Sequence, residues 1–283
     1  MNIFLVSDLH GHTDKYIKLF DAIKKKKPKI LFIAGDISNQ VKRYSESTVQ
    51  NFYRDYLQKQ FQDLKDHLKH EHPEVFIIMG NDDPKAEESA LLEGEEKGLW
   101  HYAHLKSFAY NGYQIYGYAF SPPSPFRLKD WEKYDVSRYV DPGCISPEDG
   151  FRTVDIPFNG NKYSTIENDL KELVGNADVT KSVFLFHTPP YKTKLDRAAL
   201  DNKIVDHAPV DVHVGSIAVK KFIEKKQPYL TLHGHIHEST RITGSWKDNI
   251  GRTTCFNAAH DGKELSIIEF DLNDLSTAER ILY

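Results

Sequence analysis

Five short apolar runs, each ending abruptly in polar and reactive residues, constrain the fold of this chain more than any other feature of its sequence. The runs cover residues 2–6, 30–33, 75–78, 183–186 and 229–232. Runs of four or five β-favouring residues with polar punctuation are typical of buried strands. In sheets of mainly parallel strands, ligands bind outside the carboxyl ends of the strands, which is where these polar endings occur.

The segments between the runs have the apolar spacing of helices. The candidates are residues 14–26, 44–70 and 216–226. Thr13 is the expected N-cap of the first of them. Alternation of strands and helices predicts an α/β fold in layers, with strands mainly parallel in the first part of the chain. The tail alternates like antiparallel strands, notably at 252–257 and 264–271.

The stretch 121–161 differs from the rest because it is rich in proline and glycine and has weak periodicity. We interpret it as a long insertion or lid at the mouth of a site. The length of 283 residues is compatible with one large domain. We therefore expect residues 1–283 to form a single domain that carries this insertion.

Composition excludes several classes of protein. With 40% hydrophobic and 28% charged residues, a chain that is mainly disordered is excluded. A net charge of −4 gives no overall attraction to nucleic acid or to an anionic membrane. No apolar run has the length of a membrane span, and the first residues resemble a strand rather than a signal peptide. Cys144 and Cys255 form no disulfide framework, so we expect a reducing, cytoplasmic location.

The polar residues at the strand ends are the types that bind divalent metals. Each apolar run is followed by at least one of them, and two of the runs are followed by a pair spaced two apart. The residues are Asp8, His10, Asp36, Asn81, His187, His235 and His237. Mixed imidazole and carboxylate ligands suit manganese, iron, zinc or cobalt better than calcium. Each motif alone is weak evidence, but five in order, each ending a strand, are hard to explain by packing.

The number of ligands points to two ions that share one carboxylate. Two ions need about eight bonds to protein ligands, whereas seven groups are available, and Asp36 is the natural bridge between the ions. Two ions about 3.5–4 Å apart can clamp a phosphate and generate hydroxide at neutral pH. The sequence therefore predicts hydrolysis of a phosphoester by a hydroxide that bridges the metals.

The complete pattern resembles the calcineurin-like metallophosphoesterase superfamily. Within that superfamily it is similar to a prokaryotic branch related to the cyclic-nucleotide phosphodiesterase-like proteins. The matching motifs are Asp8-Leu9-His10, Gly35-Asp36, Gly80-Asn81-Asp82-Asp83, His187 and Gly234-His235-Ile236-His237. The resemblance implies a four-layer α/β/β/α sandwich with mixed sheets. It also implies that Asp8, His10 and His237 hold one ion, that Asn81, His187 and His235 hold the other, and that Asp36 bridges them.

One position departs from the family pattern. The family usually has a histidine after Gly-Asn, which protonates the leaving group, and here Asp82 takes its place. Asp82 can do the same only if it is protonated, which requires a raised pKa. Alternatively His12 supplies the proton, or the substrate has a good leaving group that needs none. The last two alternatives favour a phosphodiester over an alkyl monoester.

We therefore expect a hydrolase, a phosphodiesterase of a small phosphorylated substrate such as a nucleotide diester. Manganese is the expected metal, with iron, zinc, cobalt and nickel as alternatives. Nucleic acid is not favoured as a substrate, because binding it requires basic surface. The alternatives are a phosphomonoesterase, including a protein phosphatase, and a metal-binding scaffold without activity. Six further polar residues are expected to be solvated loop residues: Lys194, Asp196, Arg197, Asp206, His207 and His213. Glu238 is a candidate to orient a histidine ligand, and His233 either helps the ligands or is a packed residue at the strand end.

Overall fold

The first of two six-stranded sheets contains most of the predicted parallel strands. The computed structural model describes residues 1–38, 51–155, 164–205 and 207–283. With strands numbered in chain order, the sheet contains β1 (Asn2–Val6), β2 (Ile30–Ala34), β3 (Glu74–Ile78), β4 (His101–Tyr102), β13 (Ser266–Asp271) and β14 (Asp274–Leu282). The spatial order is β14-β13-β1-β2-β3-β4. The four strands from β1 to β4 are parallel, as predicted, and the two last strands are antiparallel.

The second sheet is also mixed. It contains β5 (Ser107–Tyr110), β6 (Tyr113–Tyr118), β7 (Ser182–Phe186), β10 (Leu230–His233), β11 (Lys247–Ile250) and β12 (Thr253–Asn257). The spatial order is β11-β12-β10-β7-β6-β5, with antiparallel strands at both edges. The two strands predicted in the tail therefore exist, but β12 and β13 lie in different sheets, and β12 is parallel to β10. A short hairpin, β8 (Ile204–Val205) and β9 (Ala208–Pro209), stands apart.

The described residues form six α-helices, of which three correspond to the predicted segments and three were not predicted. They are α1 (Thr13–Lys26), α2 (Lys59–Leu68), α3 (Glu88–Glu96), α4 (Ile166–Val174), α5 (Ile217–Lys226) and α6 (Ser239–Thr243). The prediction of Thr13 as N-cap is wrong, because His12 is the extended residue and Thr13 is already helical. Among these helices, none is long and apolar enough to cross a membrane.

The long helix predicted at 44–70 is only partly correct. Its first residues, 44–50, lie outside the described residues. The described part begins with a π-helical stretch, Phe52–Gln58, whose N-cap Asn51 accepts the backbone N–H of Arg54. After α2, a 3₁₀ turn at Lys69–Glu71 ends the helix.

Aromatic contacts show how the layers pack. Between the sheets, the rings of Phe76 and Phe108 lie 5.6 Å apart, and those of Phe256 and Phe270 lie 5.4 Å apart. On the outer side of the second sheet, Phe222 of α5 contacts Phe184 of β7 at 4.9 Å. Large buried rings of this kind dominate the energetics of a core. Together with α1 and α2, whose rings also meet, these contacts build the predicted α/β/β/α sandwich.

The segment predicted as an insertion is irregular but firmly attached. Its described part, 121–155, contains isolated β-bridges and no named strand or helix. Lys129 and Glu132 form an ion pair with no exposed side-chain surface, and Trp131 is fully buried. Lys133 contacts Asp169 of α4 at 2.7 Å. This part of the segment is therefore packed on the sandwich, whereas 156–161 lies outside the described residues.

Candidate metal centre

The loops that follow β1 and β2 run side by side and place three of the predicted ligands. The backbone N–H of Asp8 donates to Gly35 at 3.1 Å, and that of His10 donates to Asp36 at 2.8 Å. Asp8, His10 and Asp36 have φ values of 56°, 46° and 50°. This left-handed backbone is unfavourable for residues other than glycine and is concentrated at functional sites. The hydrogen bonds between the loops hold it in place.

The first group of facing ligand atoms comes from Asp8, His10, Asp36 and His237, whose atoms all lie within 4.8 Å of one another. His237 Nε2 lies 3.0 Å from Asp8 Oδ1 and 3.2 Å from His10 Nε2. Asp36 Oδ2 lies 3.8 Å from His10 Nε2. Ligand atoms about 2.0–2.2 Å from a common ion are separated by roughly 3–3.5 Å. The observed distances therefore fit a divalent metal ion.

The second group contains Asp36 again, with His187 and His235. His187 Nε2 lies 3.4 Å from Asp36 Oδ2 and 2.9 Å from Asn81 Oδ1. The other ring nitrogen of His187 is 2.7 Å from the carbonyl oxygen of Ala34. A hydrogen bond of this kind fixes the ring and directs the remaining nitrogen at the metal position. The structure thus brings all seven predicted side chains together, and Asp36 is common to both groups.

Charge at this centre favours a cation. Burial alone would lower the pKa of His187, but the carboxylates of Asp36 and Asp8 raise it to about 10. Burial would likewise lower the pKa of His237, and Asp8 raises it to about 9. Burial opposes ionisation of Asp36, yet His187 and His10 hold its pKa far below the usual range. Two buried carboxylates therefore create a negative potential that a metal ion would neutralise.

Of the two candidate proton donors, Asp82 lies beside the centre. Its backbone N–H donates to Asp36 at 2.9 Å, and its Oδ2 lies 3.5 Å from His10 Nδ1. Burial, followed by the charges of Asp36 and Asp83, raises the pKa of Asp82 to about 7. His12 is exposed at the N-cap of α1, where its side chain makes no capping hydrogen bond. Within the described residues, no hydrogen bond links His12 to the cluster.

Asp83 is a positioning residue that the sequence interpretation missed. It is fully buried and accepts the backbone N–H groups of Ile37, Ser38 and Gly80. The Tyr53 hydroxyl donates to it as well, at 2.6 Å. These bonds join the loop of Asp36 to the loop of Asn81. The sequence did contain a signal for this role, because Asp83 is the acidic residue at the end of the Gly80-Asn81-Asp82-Asp83 motif.

Two of the remaining polar candidates, Asp196 and Glu238, are placed differently from the expectation. Asp196 is not a solvated loop residue, because it is fully buried and accepts backbone N–H groups from its own loop. His233 is a packed strand-end residue, bonded to Thr188 and Thr231. Glu238 accepts the N–H of Ala199 rather than orienting a histidine.

Other members of that set vary in exposure. Lys194 and His207 are exposed, and Arg197 pairs with Asp201. The side chain of His213 is 28% exposed. Asp206 lies outside the described residues.

Comparison with known families and structures agrees with this geometry. The sequence model of the calcineurin-like phosphoesterases matches residues 1–239. The chain belongs to this family. Membership makes it a metal-dependent hydrolase acting on phosphoester bonds. A search of curated protein sequences gives no significant match.

Solved structures share the fold at low sequence identity. Protein TT1561 of Thermus thermophilus has a TM-score of 0.56 and 15% identity, covering 99% of this chain and 98% of that one. A dimetal phosphatase from Danio rerio has a TM-score of 0.51 and 10% identity, covering 95% and 92%. At these identities the likeness concerns the fold alone.

Proposed function

We propose that this family member is a phosphodiesterase that binds two divalent metal ions at the carboxyl ends of its strands. Asp8, His10 and His237 would hold one ion, and Asn81, His187 and His235 would hold the other. The observation that carries the proposal is the position of Asp36, whose carboxylate belongs to both groups of ligand atoms. When bound, the ions would supply Lewis acidity to the phosphoryl group and activate water. Manganese suits the mixed nitrogen and oxygen ligands.

The preference for diesters is inferred from Asp82. A monoester carries about −1.5 to −2 charges at pH 7, whereas a diester carries about one. An aspartate never carries the positive charge that the family's usual histidine acquires on protonation. The side chain of Asp82 is 36% exposed beside the first ligand group, where it meets an incoming phosphate. It therefore offers no compensation for the second charge of a monoester.

The substrate is proposed to be small, because the net charge of −4 provides no general attraction for a long polyanion. The two cysteines are unpaired, Cys255 buried and Cys144 half-buried. Free thiols support a reducing, cytoplasmic location.

The test of this function is a comparison of chromogenic esters with the purified protein. With manganese added, we expect kcat/KM for bis-p-nitrophenyl phosphate to exceed that for p-nitrophenyl phosphate by about tenfold or more. Chelation should abolish turnover, and fresh manganese should restore it. Faster cleavage of alkyl monoesters would instead identify a phosphomonoesterase. Metal binding without turnover of any ester would identify a scaffold.

Replacing Asp82 by histidine is expected to shift this selectivity toward monoesters. The imidazole restores a group that can donate a proton and carry positive charge. We expect the ratio of diester to monoester kcat/KM to fall about tenfold in Asp82→His. The measurement is the pair of rates on the two p-nitrophenyl esters.

Asp82→Asn and His12→Ala are the matched controls for the proton donor. If neither side chain donates a proton, both variants should keep hydrolysis of a diester with an alkyl leaving group, which needs a proton, within about threefold of the unmodified enzyme. A loss in Asp82→Asn as large as that from removing a metal ligand would make Asp82 the general acid. The same loss in His12→Ala would assign that role to His12.

A further inference from the structure

A cavity of about 370 Å³ lies between the insertion and the loop that follows His187. Prolines and valines make up nine of the 22 residues that line it, among them Pro123 and Val136 on one side and Val205 and Val210 on the other. Cavities of about 300–1,000 Å³ with mainly apolar walls are typical of small-molecule sites. None of the seven proposed metal ligands lines it, so it is separate from the metal centre.

The cavity nevertheless lies at the same edge of the second sheet as part of the metal centre. Its two walls leave the neighbouring parallel strands β6 and β7 at their carboxyl ends, the same edge at which His187 lies. Tyr191, a wall residue, is four positions after His187, which limits their separation to about 14 Å. The Asn257 side chain donates to Leu195 at 3.0 Å and to Ile236 at 3.5 Å. This bond clamps the wall loop to the turn between His235 and His237.

The wall loop is rigid because Asp196 organises it. The buried carboxylate accepts the backbone N–H groups of Lys192, Thr193 and Gly215 at 2.9–3.2 Å. It also contacts His213 Nδ1 at 2.8 Å. Since Nδ1 of this cavity-lining histidine is engaged, Nε2 is the ring nitrogen left for a ligand. A fixed imidazole at an apolar cavity provides one directional hydrogen bond.

The charges of the lining exclude a second phosphate. Three carboxylates, Asp135, Asp141 and Asp211, face one ammonium group, Lys203. The Asp135 carboxylate already accepts hydrogen bonds from the backbone N–H groups of Ile217 and Ala218 at the N-terminus of α5. Asp211 accepts the Tyr191 hydroxyl, and Asp141 accepts no side-chain hydrogen bond within the described residues. Carboxylates only accept hydrogen bonds, so they favour a ligand that carries N–H donors.

We propose that this cavity binds the uncharged, planar heterocycle of the phosphodiester substrate, a ring with N–H donors such as a nucleobase. The proposal rests on the phosphodiesterase function and adds the class of organic group that the enzyme recognises. A quaternary ammonium group is less suitable, because the Lys192 ammonium already lies 5.2 Å from the centre of the Tyr191 ring. The phosphate then lies at the metal centre and the ring in the cavity.

The short hairpin provides a matched pair of variants. Val205 lines the cavity and faces Gly143 of the opposite wall, where an added Cβ would lie 3.2 Å from a Val205 methyl group. Its neighbour Ile204 is 68% exposed and does not line the cavity. Val205→Phe should fill the space, whereas Ile204→Phe adds the same ring on the solvent side. Val136→Phe, on the opposite wall, is a second filling variant in case the first does not fold.

Binding is tested first, with metal-free protein and thymidine in a calorimetric titration. We expect thymidine to bind the unmodified protein and Ile204→Phe, and to bind the filled variants at least about tenfold more weakly. N3-methylthymidine, which lacks the N–H donor, should also bind more weakly. Thymidine should slow maleimide labelling of Cys144, which lines the cavity, whereas labelling of buried Cys255 should stay negligible with and without thymidine. Absence of thymidine binding, or binding of choline in its place, would overturn the proposal.

Turnover separates this proposal from the proposed function. Thymidine 5′-(p-nitrophenyl phosphate) and methyl p-nitrophenyl phosphate have the same charge and leaving group, and only the first has a base. We expect about tenfold higher kcat/KM for the thymidine ester, and loss of this advantage in Val205→Phe and Val136→Phe but not in Ile204→Phe. If the two esters are cleaved at equal rates, and Val205→Phe does not change those rates, the cavity is not a base site. The proposed phosphodiesterase function would be unaffected by that result. Thymidine binding without turnover of either ester would reject the function instead.

Discussion

Replacing Asp36 by asparagine is expected to lower kcat/KM for a phosphodiester by about a thousandfold or more. The carboxylate lies 3.4 Å from His187 Nε2 and 3.8 Å from His10 Nε2, one from each group of ligand atoms. An asparagine has the same shape but carries no charge, so its amide oxygen is a much weaker ligand for the ions of both groups. The change also removes one of the two carboxylates that make the centre attractive to cations.

The measurement combines turnover with metal content. After reconstitution with manganese, the bound metal should fall from two ions per chain to one or none in Asp36→Asn. Asp169→Asn is the matched control, because Asp169 is a buried carboxylate outside both ligand groups that contacts Tyr118 and Lys133 at 2.7 Å. It should lose stability but keep both ions. Full activity and full metal content in Asp36→Asn would contradict the shared role of Asp36.

The strands and the residues at their ends could be read from the sequence because both signals are local. The apolar run 30–33 and the Asp36 that follows it are close in the chain, and parallel pairing then brings such endings to one edge. The assignment of ligands to two ions came instead from the family resemblance. In the structure Asp8, His10 and His237 face one another, as do His187 and His235, and Asp36 is common to both sets.

The features that the sequence did not predict depend on contacts between distant residues. Asp196 looks like a loop residue until the loop folds back and its N–H groups converge on the carboxylate. The buried ion pair of Lys129 and Glu132 could not be predicted for the same reason, because its burial depends on residues that are distant in the sequence. The cavity needs two loops separated by some sixty residues in the chain. Neither loop has a sequence periodicity that would predict their contact.

Replacing Gly80 by alanine is expected to disable the metal centre without removing any proposed ligand. A Cβ atom at this position would lie 2.3 Å from Asp36 Oδ1, 2.5 Å from the Asp36 backbone nitrogen and 2.6 Å from His187 Cε1. Real Cβ atoms essentially never approach other heavy atoms this closely. Relief requires movement of the loop after β2. The hydrogen bonds that Asp83 accepts from this loop, together with the positive φ at Asp36, restrain such movement. The alanine therefore displaces Asp36 and His187.

A displacement of about 1 Å in an active site costs about a hundredfold in rate, so kcat/KM of Gly80→Ala should fall by at least that factor. Overpacking of this kind should also cost about 1–3 kcal/mol of unfolding free energy, measured by urea titration. Gly112→Ala separates the two effects. No atom lies within 4 Å of an added Cβ there, but φ is 81°, so strain should reduce stability by about 1 kcal/mol and leave turnover unchanged. Full diester turnover in Gly80→Ala would show that the metal centre tolerates a shift of Asp36. The geometry of the centre would then be less constrained than the close packing of β2, β3 and β7 implies.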